Sequence, residues 1–280
     1  MNLRARQTLS EIRSARIASP KHKGRAVQQS PPRHIERSYA RALVQVNADT
    51  AEALKPLMQQ LGGLVATARD ERKHFDAGEA RQVASLIEQA RANTRFSTSA
   101  LESLARTFAD QVDTHQRVQH GKQVRAVFGA DVLFAEPNVA AAAETFIVEN
   151  VALIRNMPVK TLAEIEGIVT RGVTSGALHR DIASDIRTRI GMGKNRARVI
   201  ARDQISKFYG QVARVRQGAM GVTHFIWRTA GDERVRDEHI SLDGRRFAWA
   251  TGAPGEGAPG EPVQCRCYAD PDFDDLVGSL

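Results

Sequence analysis

The residues of this 280-residue chain best suited to chemistry gather near its C-terminal end. Cys265 and Cys267 are its only cysteines, one residue apart, and His239 lies upstream of them. In an extended segment, residues two apart project from the same face, so both thiols can converge on one metal ion with an imidazole supplied across a sheet. Zinc is the natural ion for such donors, as a structural cofactor. A closed structural site wants a fourth ligand, for which His224, Asp232 and Asp237 are the candidates. The Cys-x-Cys spacing is shorter than the usual two-to-four residue spacer, so two other readings stand beside the metal site: a pair of reduced, buried thiols, or a strained disulfide.

Just before His239, the stretch DERVRDEH (232–239) sets two arginines and four carboxylates beside the imidazole. On composition alone it suits general acid and base work. The chain has no Gly-x-Ser-x-Gly elbow, no phosphate-cradling glycine loop and no His-Glu-x-x-His helix to go with it. The expected role is a salt-bridged turn, with Arg236 and His239 bonding backbone or carboxylate groups and pinning a sheet to helices. No catalytic residue is assigned, and the protein is not expected to be an enzyme.

A second cluster is basic. Lys194, Arg196, Arg198, Arg202, Lys207, Arg214 and Arg216 face only Asp203 within one helical stretch, a local net charge of +6. Such a helix can lie along a phosphate backbone, and Lys194, Arg196, Arg198, Arg202 and Lys207 are the candidate nucleic-acid contacts. The competing reading is an amphipathic helix that buries Val199, Ile200, Phe208, Val212 and Val215 and keeps its arginines wet. Basic charge also crowds residues 1–48, where ten Lys or Arg oppose Glu11 and Glu36, for a net of +8 equal to that of the whole chain. A basic arm ahead of a neutral body suits nucleic acid or an acidic protein surface, or simply solvent.

The elements that position these groups are mostly helical. Aromatics are 5% of the chain, hydrophobic residues 42%, and Ala, Leu, Val, Arg and Glu recur throughout, a balance that favours helix over sheet. Residues 1–34 are expected to be a basic flexible arm, since ASPKHKGRAVQQSPPRH (18–34) has no periodicity. Residues 35–120 predict a helical bundle: Tyr39, Leu43 and Val46 lead to Leu54, Leu57, Leu61 and Leu64 in a helix begun by Pro56, and a further helical pattern runs from Glu79 to Val118. Residues 121–141 predict a linker marked by Gly129 and Pro137. From 142 helices resume, with Phe146, Val148, Val151, Leu153 and Ile154 on one stripe and a capping box at Thr161 and Glu164. A short helix over about 179–190, a glycine turn and a long helix over about 194–218 follow. THFIWRT (223–229), RRFAW (245–249) and VQCRCYA (263–269) predict three short strands, separated by a Gly- and Pro-rich loop. The fold class is therefore α+β and mainly α, an N-terminal bundle followed by a helical region with a small C-terminal antiparallel sheet. No internal repeat is seen. No apolar run reaches the length of a membrane span and no apolar segment follows the first basic residues, so a soluble protein that stays in the cytoplasm is expected.

The order of the C-terminal features carries a resemblance. Ala201, Arg202 and Asp203 in the long helix, Gly221, Trp227, Asp232, Arg236, His239, Asp243 with Gly244, Pro262 and the Cys265-Arg266-Cys267 ending follow one another as in the Mu F-like phage head morphogenesis family. The chain resembles that family from near Ala142 to Ala269. Gln204 stands where many relatives have Glu, which argues against an acid-base role there. The resemblance implies a minor head protein of a tailed bacteriophage or prophage. It would be present in the host cytoplasm during assembly and then in the virion head, contacting portal, scaffold or coat proteins and packaged DNA. In that light Trp227, Asp232, Arg236, His239, Asp243 and Gly244 form a structural motif. The competing class is a nuclease or toxin-like enzyme using His239, Arg236 and Asp232.

Overall fold

The computed structural model describes residues 29, 31–67, 77–94, 96–128 and 138–274. Most of the expected basic arm, and residues 129–137 of the expected linker, lie outside these. Among the described residues seven helices precede or flank three strands: α1 (Arg33–Ala53), α2 (Lys55–Thr67), α3 (Ala77–Asn93), α4 (Thr98–Phe128), α5 (Ala140–Ser175), α6 (His179–Ala219), β1 (His224–Arg228), α7 (Asp237–Leu242), β2 (Arg246–Ala248) and β3 (Tyr268–Pro271). The α+β, mainly α, class read from composition is the class observed. None of these helices is long and apolar enough to cross a membrane.

Several expected boundaries move, each for a local reason. The Glu79–Val118 pattern is two helices, because Thr94 turns back to bond the carbonyls of Ala90 and Arg91 while the Ser97 hydroxyl caps Ala100 N–H. Residues 121–128, expected in a linker, continue α4. The Thr161–Glu164 pair begins no helix: Thr161 sits inside α5, where its hydroxyl bonds the Met157 carbonyl beside Pro158. Gly191 and Gly193 do not break α6, since an interior glycine costs only about 1 kcal/mol, which burial elsewhere on the helix outweighs. Val148 and Val199, expected to be inward, are exposed.

The chain divides into two compact units that interleave along the sequence. The first, within 37–105 and 148–201, has helices as its only regular elements among the described residues. Its core draws on Leu54 just ahead of α2, Leu57 and Leu61 of α2, Val83, Ile87 and Ala90 of α3, Leu162, Ile165 and Val169 of α5, and Ile182, Ala183 and Ile186 of α6. Apart from the adjacent Ile182 and Ala183 these fall at three- and four-residue spacings, so each helix offers one apolar stripe. Tyr39 of α1 is buried with its hydroxyl donating to Asn150, 2.6 Å away, and His179 is held by Glu79 at 3.0 Å.

The second unit, within 1–36, 106–147 and 202–280, holds the sheet. The strands run in the order β2-β1-β3, all antiparallel, with Phe225 opposite Phe247 and Trp227 opposite Ala269. β1 alternates buried Phe225 and Trp227 with half-buried neighbours, as period-two patterning requires. The core behind it comprises Phe225, Trp227, Leu242, Phe247, Trp249, Ala269 and both cysteines. Asp243 accepts from Thr229 N–H, and Gly244, at φ +76°, donates its own N–H to Trp227 C=O, so the Asp-Gly pair turns the chain from α7 into β2. A buried polar chain ties the sheet down: Trp249 Nε1 donates to Gln217, and Gln217 to the Ala269 carbonyl. Beside it Tyr209 donates to Gln29, Gln29 to Gln123 and Gln123 to Asp270.

Candidate functional site

The third strand begins later than the sequence suggests. Cys265 N–H bonds the Pro262 carbonyl and Gln264 adopts φ +57°, so Cys265 and Cys267 occupy a curled segment ahead of β3 and outside the ladder. A non-glycine residue in that conformation stores strain and must be held there. Asp203 of α6 does so, accepting Gln264 N–H at 3.0 Å while pairing with Lys207 at 2.8 Å.

The curl brings both sulfurs to one point. His239, on α7 and buried edge-on against Trp227, places Nδ1 3.4 Å from Cys267 Sγ and 3.8 Å from Cys265 Sγ. The three donor atoms all lie within 4.8 Å of one another and all three residues are buried. On its far side His239 Nε2 meets Glu256 Oε2 at 3.0 Å. With Nε2–H donating to that carboxylate, Nδ1 presents its lone pair to the sulfurs. Both cysteines are free, so the disulfide alternative is not realised. Hydrogen bonding from the Cys267 side chain, helped by the backbone N–H groups of Gly260 and Cys267, lowers the Cys265 thiol to about 6, and the same contact raises Cys267. Trp227 Nε1, buried without a conventional partner among the described residues, favours the Cys267 thiolate.

None of the expected fourth donors joins the group. His224 Nδ1 engages Thr223, and Asp232 is held by Arg266 at 2.5 Å and Arg33 at 3.7 Å. Instead the donors open on a cavity of about 280 Å³, also lined by Arg202, Arg234, Arg236, Arg266 and Gln264. Such a centre can hold a soft divalent ion or act as a pair of reducing thiols.

Asp232, Arg236 and His239 do not bond one another. Arg236 donates to the Val263 carbonyl at 2.6 Å, Asp232 takes the two arginines above, and His239 takes Glu256. On the basic helix, Arg202 pairs with Glu36 at 3.0 Å and Arg216 is buried against Asp113 and Gln116. Lys194 and Arg198 are exposed and Arg196 half-buried.

Sequence reasoning missed Glu256. Its signal was a tandem pentapeptide, APGEG (253–257) followed by APGEP (258–262). Each copy forms a Pro-Gly turn closed by Glu N–H to Ala C=O, with Gly255 and Gly260 at φ +80° and +98°. One glutamate reaches His239. The other, Glu261, accepts Ala258 N–H and closes the loop on itself. The second copy also seats against α6: a Cβ on Gly210 would lie 2.6 Å from the Pro259 carbonyl, so only glycine allows the approach.

A long-helix chain closed by a three-stranded sheet and a curled Cys-x-Cys defines an α+β protein with a small, internally tied C-terminal module. Residues 163–269 match the family described as Phage Mu protein F like protein, in line with the resemblance carried by the C-terminal motifs. An uncharacterised protein of Haemophilus influenzae is 27% identical over 208 residues, which cover 73% of this chain. The chain covers 46% of that relative's length. No solved structure matches.

Proposed function

We propose that the chain is a structural minor head protein in tailed-phage head assembly, binding portal, scaffold or coat proteins without turning over a substrate. The carrying observation is the Mu F-like match over 163–269, which contains the whole motif from the basic helix to the cysteines. The geometry supports the same reading. Asp243 and Gly244 close the turn into β2, Arg236 bonds the Val263 carbonyl, Asp232 pairs with Arg266 and His239 with Glu256, ties that suit a docking body with a fixed shape. In this reading the protein acts in the host cytoplasm during assembly and is then carried in the virion head. Packaged DNA is a further partner, met by Lys194, Arg196 and Arg198, while the carboxylate pairing of Arg202 and Lys207 reduces their share.

The test is deletion of the gene from an inducible prophage, with electron microscopy of the lysate. Heads that are malformed, empty or few, restored by the gene in trans, support the role; normal yields of filled heads refute it. A nuclease assay with His239→Gln as control separates the enzymatic class: cleavage lost with that substitution would replace the structural reading.

A further inference from the structure

The geometry points to a zinc centre made by His239 Nδ1, Cys265 Sγ and Cys267 Sγ, whose fourth position opens into the arginine-lined cavity and accepts a small oxyanion. This rests on the side chains alone and stands apart from the assembly role. Zn–S bonds of about 2.3 Å and Zn–N bonds of about 2.0–2.1 Å at tetrahedral angles require N···S edges of about 3.6 Å. The observed edges, 3.4 and 3.8 Å, bracket that length.

Three further features suit a metal centre. The carboxylate behind the imidazole fixes which nitrogen is free, as the outer partner of a zinc-bound histidine does. Strain is spent at Gln264, adjoining the first thiol, and is held by Asp203. The glycine-dependent Pro-Gly turns place Glu256 and Gly260 against the two donors from outside the sheet.

The ligand set is also unlike a closed structural site, which has four protein donors. Here the group among the described residues has three, and the remaining side faces the cavity. Four guanidinium groups line it; Glu36, Asp232 and the exposed Glu233 pair with Arg202, Arg266 and Arg234, and among the described residues Arg236 bonds only the neutral Val263 carbonyl. Zinc with two thiolates carries no net charge, so the surplus positive charge favours an anionic oxygen donor over a neutral one.

The full chain, purified under reducing conditions and loaded with zinc, is expected to retain about one zinc per chain through gel filtration. Cobalt(II) substitution should give a thiolate charge-transfer band with the ligand-field bands of a tetrahedral ion. Inorganic phosphate should shift those ligand-field bands saturably. The exposed Arg234→Gln should weaken that response severalfold at unchanged cobalt content. Glu256→Gln, with helicity retained by circular dichroism, should weaken zinc affinity by about 10–100-fold. A chain that retains no zinc, or that holds it equally well as the folded Cys265→Ser/Cys267→Ser variant, overturns the centre. A cobalt spectrum indifferent to millimolar phosphate overturns the open position.

Discussion

The helical unit and the sheet-bearing unit solve the same problem by different means. The helical core is aliphatic and assembled from stripes on four helices, so its stability follows from apolar volume buried. The sheet has strands of five, three and four residues, too little area to hold itself by burial alone. Its core therefore includes two thiols, with the buried His239 imidazole edge-on against Trp227, and its strands are tied by Arg228–Asp270, Arg246–Asp272 and the Gln217 bridge. The lesson is that a sheet of short strands draws on directional bonds where a set of long helices relies on packing.

That contrast can be broken from either side. The largest effect is expected in the helical core, where Leu162→Ala removes a fully buried side chain. It should cost about 2–5 kcal/mol in denaturant titration; a cost below 1 kcal/mol would mean that the core is loosely packed. Next comes acid. His120, beside Met220 in the sheet-bearing unit, is lowered to about 4 by burial and by Arg216. Its folded value lies below the unfolded one, so its contribution is complete above pH 6.5 and is lost as pH falls toward 4. The loss should be about 3 kcal/mol in total, and His120→Gln should flatten that part of the thermal stability profile. Two glycine substitutions sharpen the comparison with opposite signs. Gly210→Ala should cost about 2 kcal/mol, because its methyl group meets the Pro259 carbonyl although helix propensity favours alanine. Gly62→Ala on α2, with open space around it, should add about 0.5–1 kcal/mol.

The helices and first two strands were legible because their signals are local: stripes at helical spacing, and alternation in HFIWR. Helix ends were less so, because Thr94 and Ser97 act through hydroxyl bonds that periodicity does not register. The convergence of His239 with the cysteines was foreseen, but for the wrong geometric reason. It arises from the curl at Gln264 and not from strand alternation, and that curl depends on Asp203, 61 positions away. Glu256 stayed hidden because Gly- and Pro-rich sequence was read as a spacer, whereas its repeated Pro-Gly turns aim a carboxylate.

The most direct test of the claim that bonds at the His–Cys cluster hold the C-terminal module is amide hydrogen exchange on the zinc-loaded full chain, before and after chelation. Protection should fall across β1, α7, β2 and residues 252–271 while the core amides of α2, α3 and α5 keep theirs. An unchanged pattern throughout, or an equal loss in both units, would contradict the account.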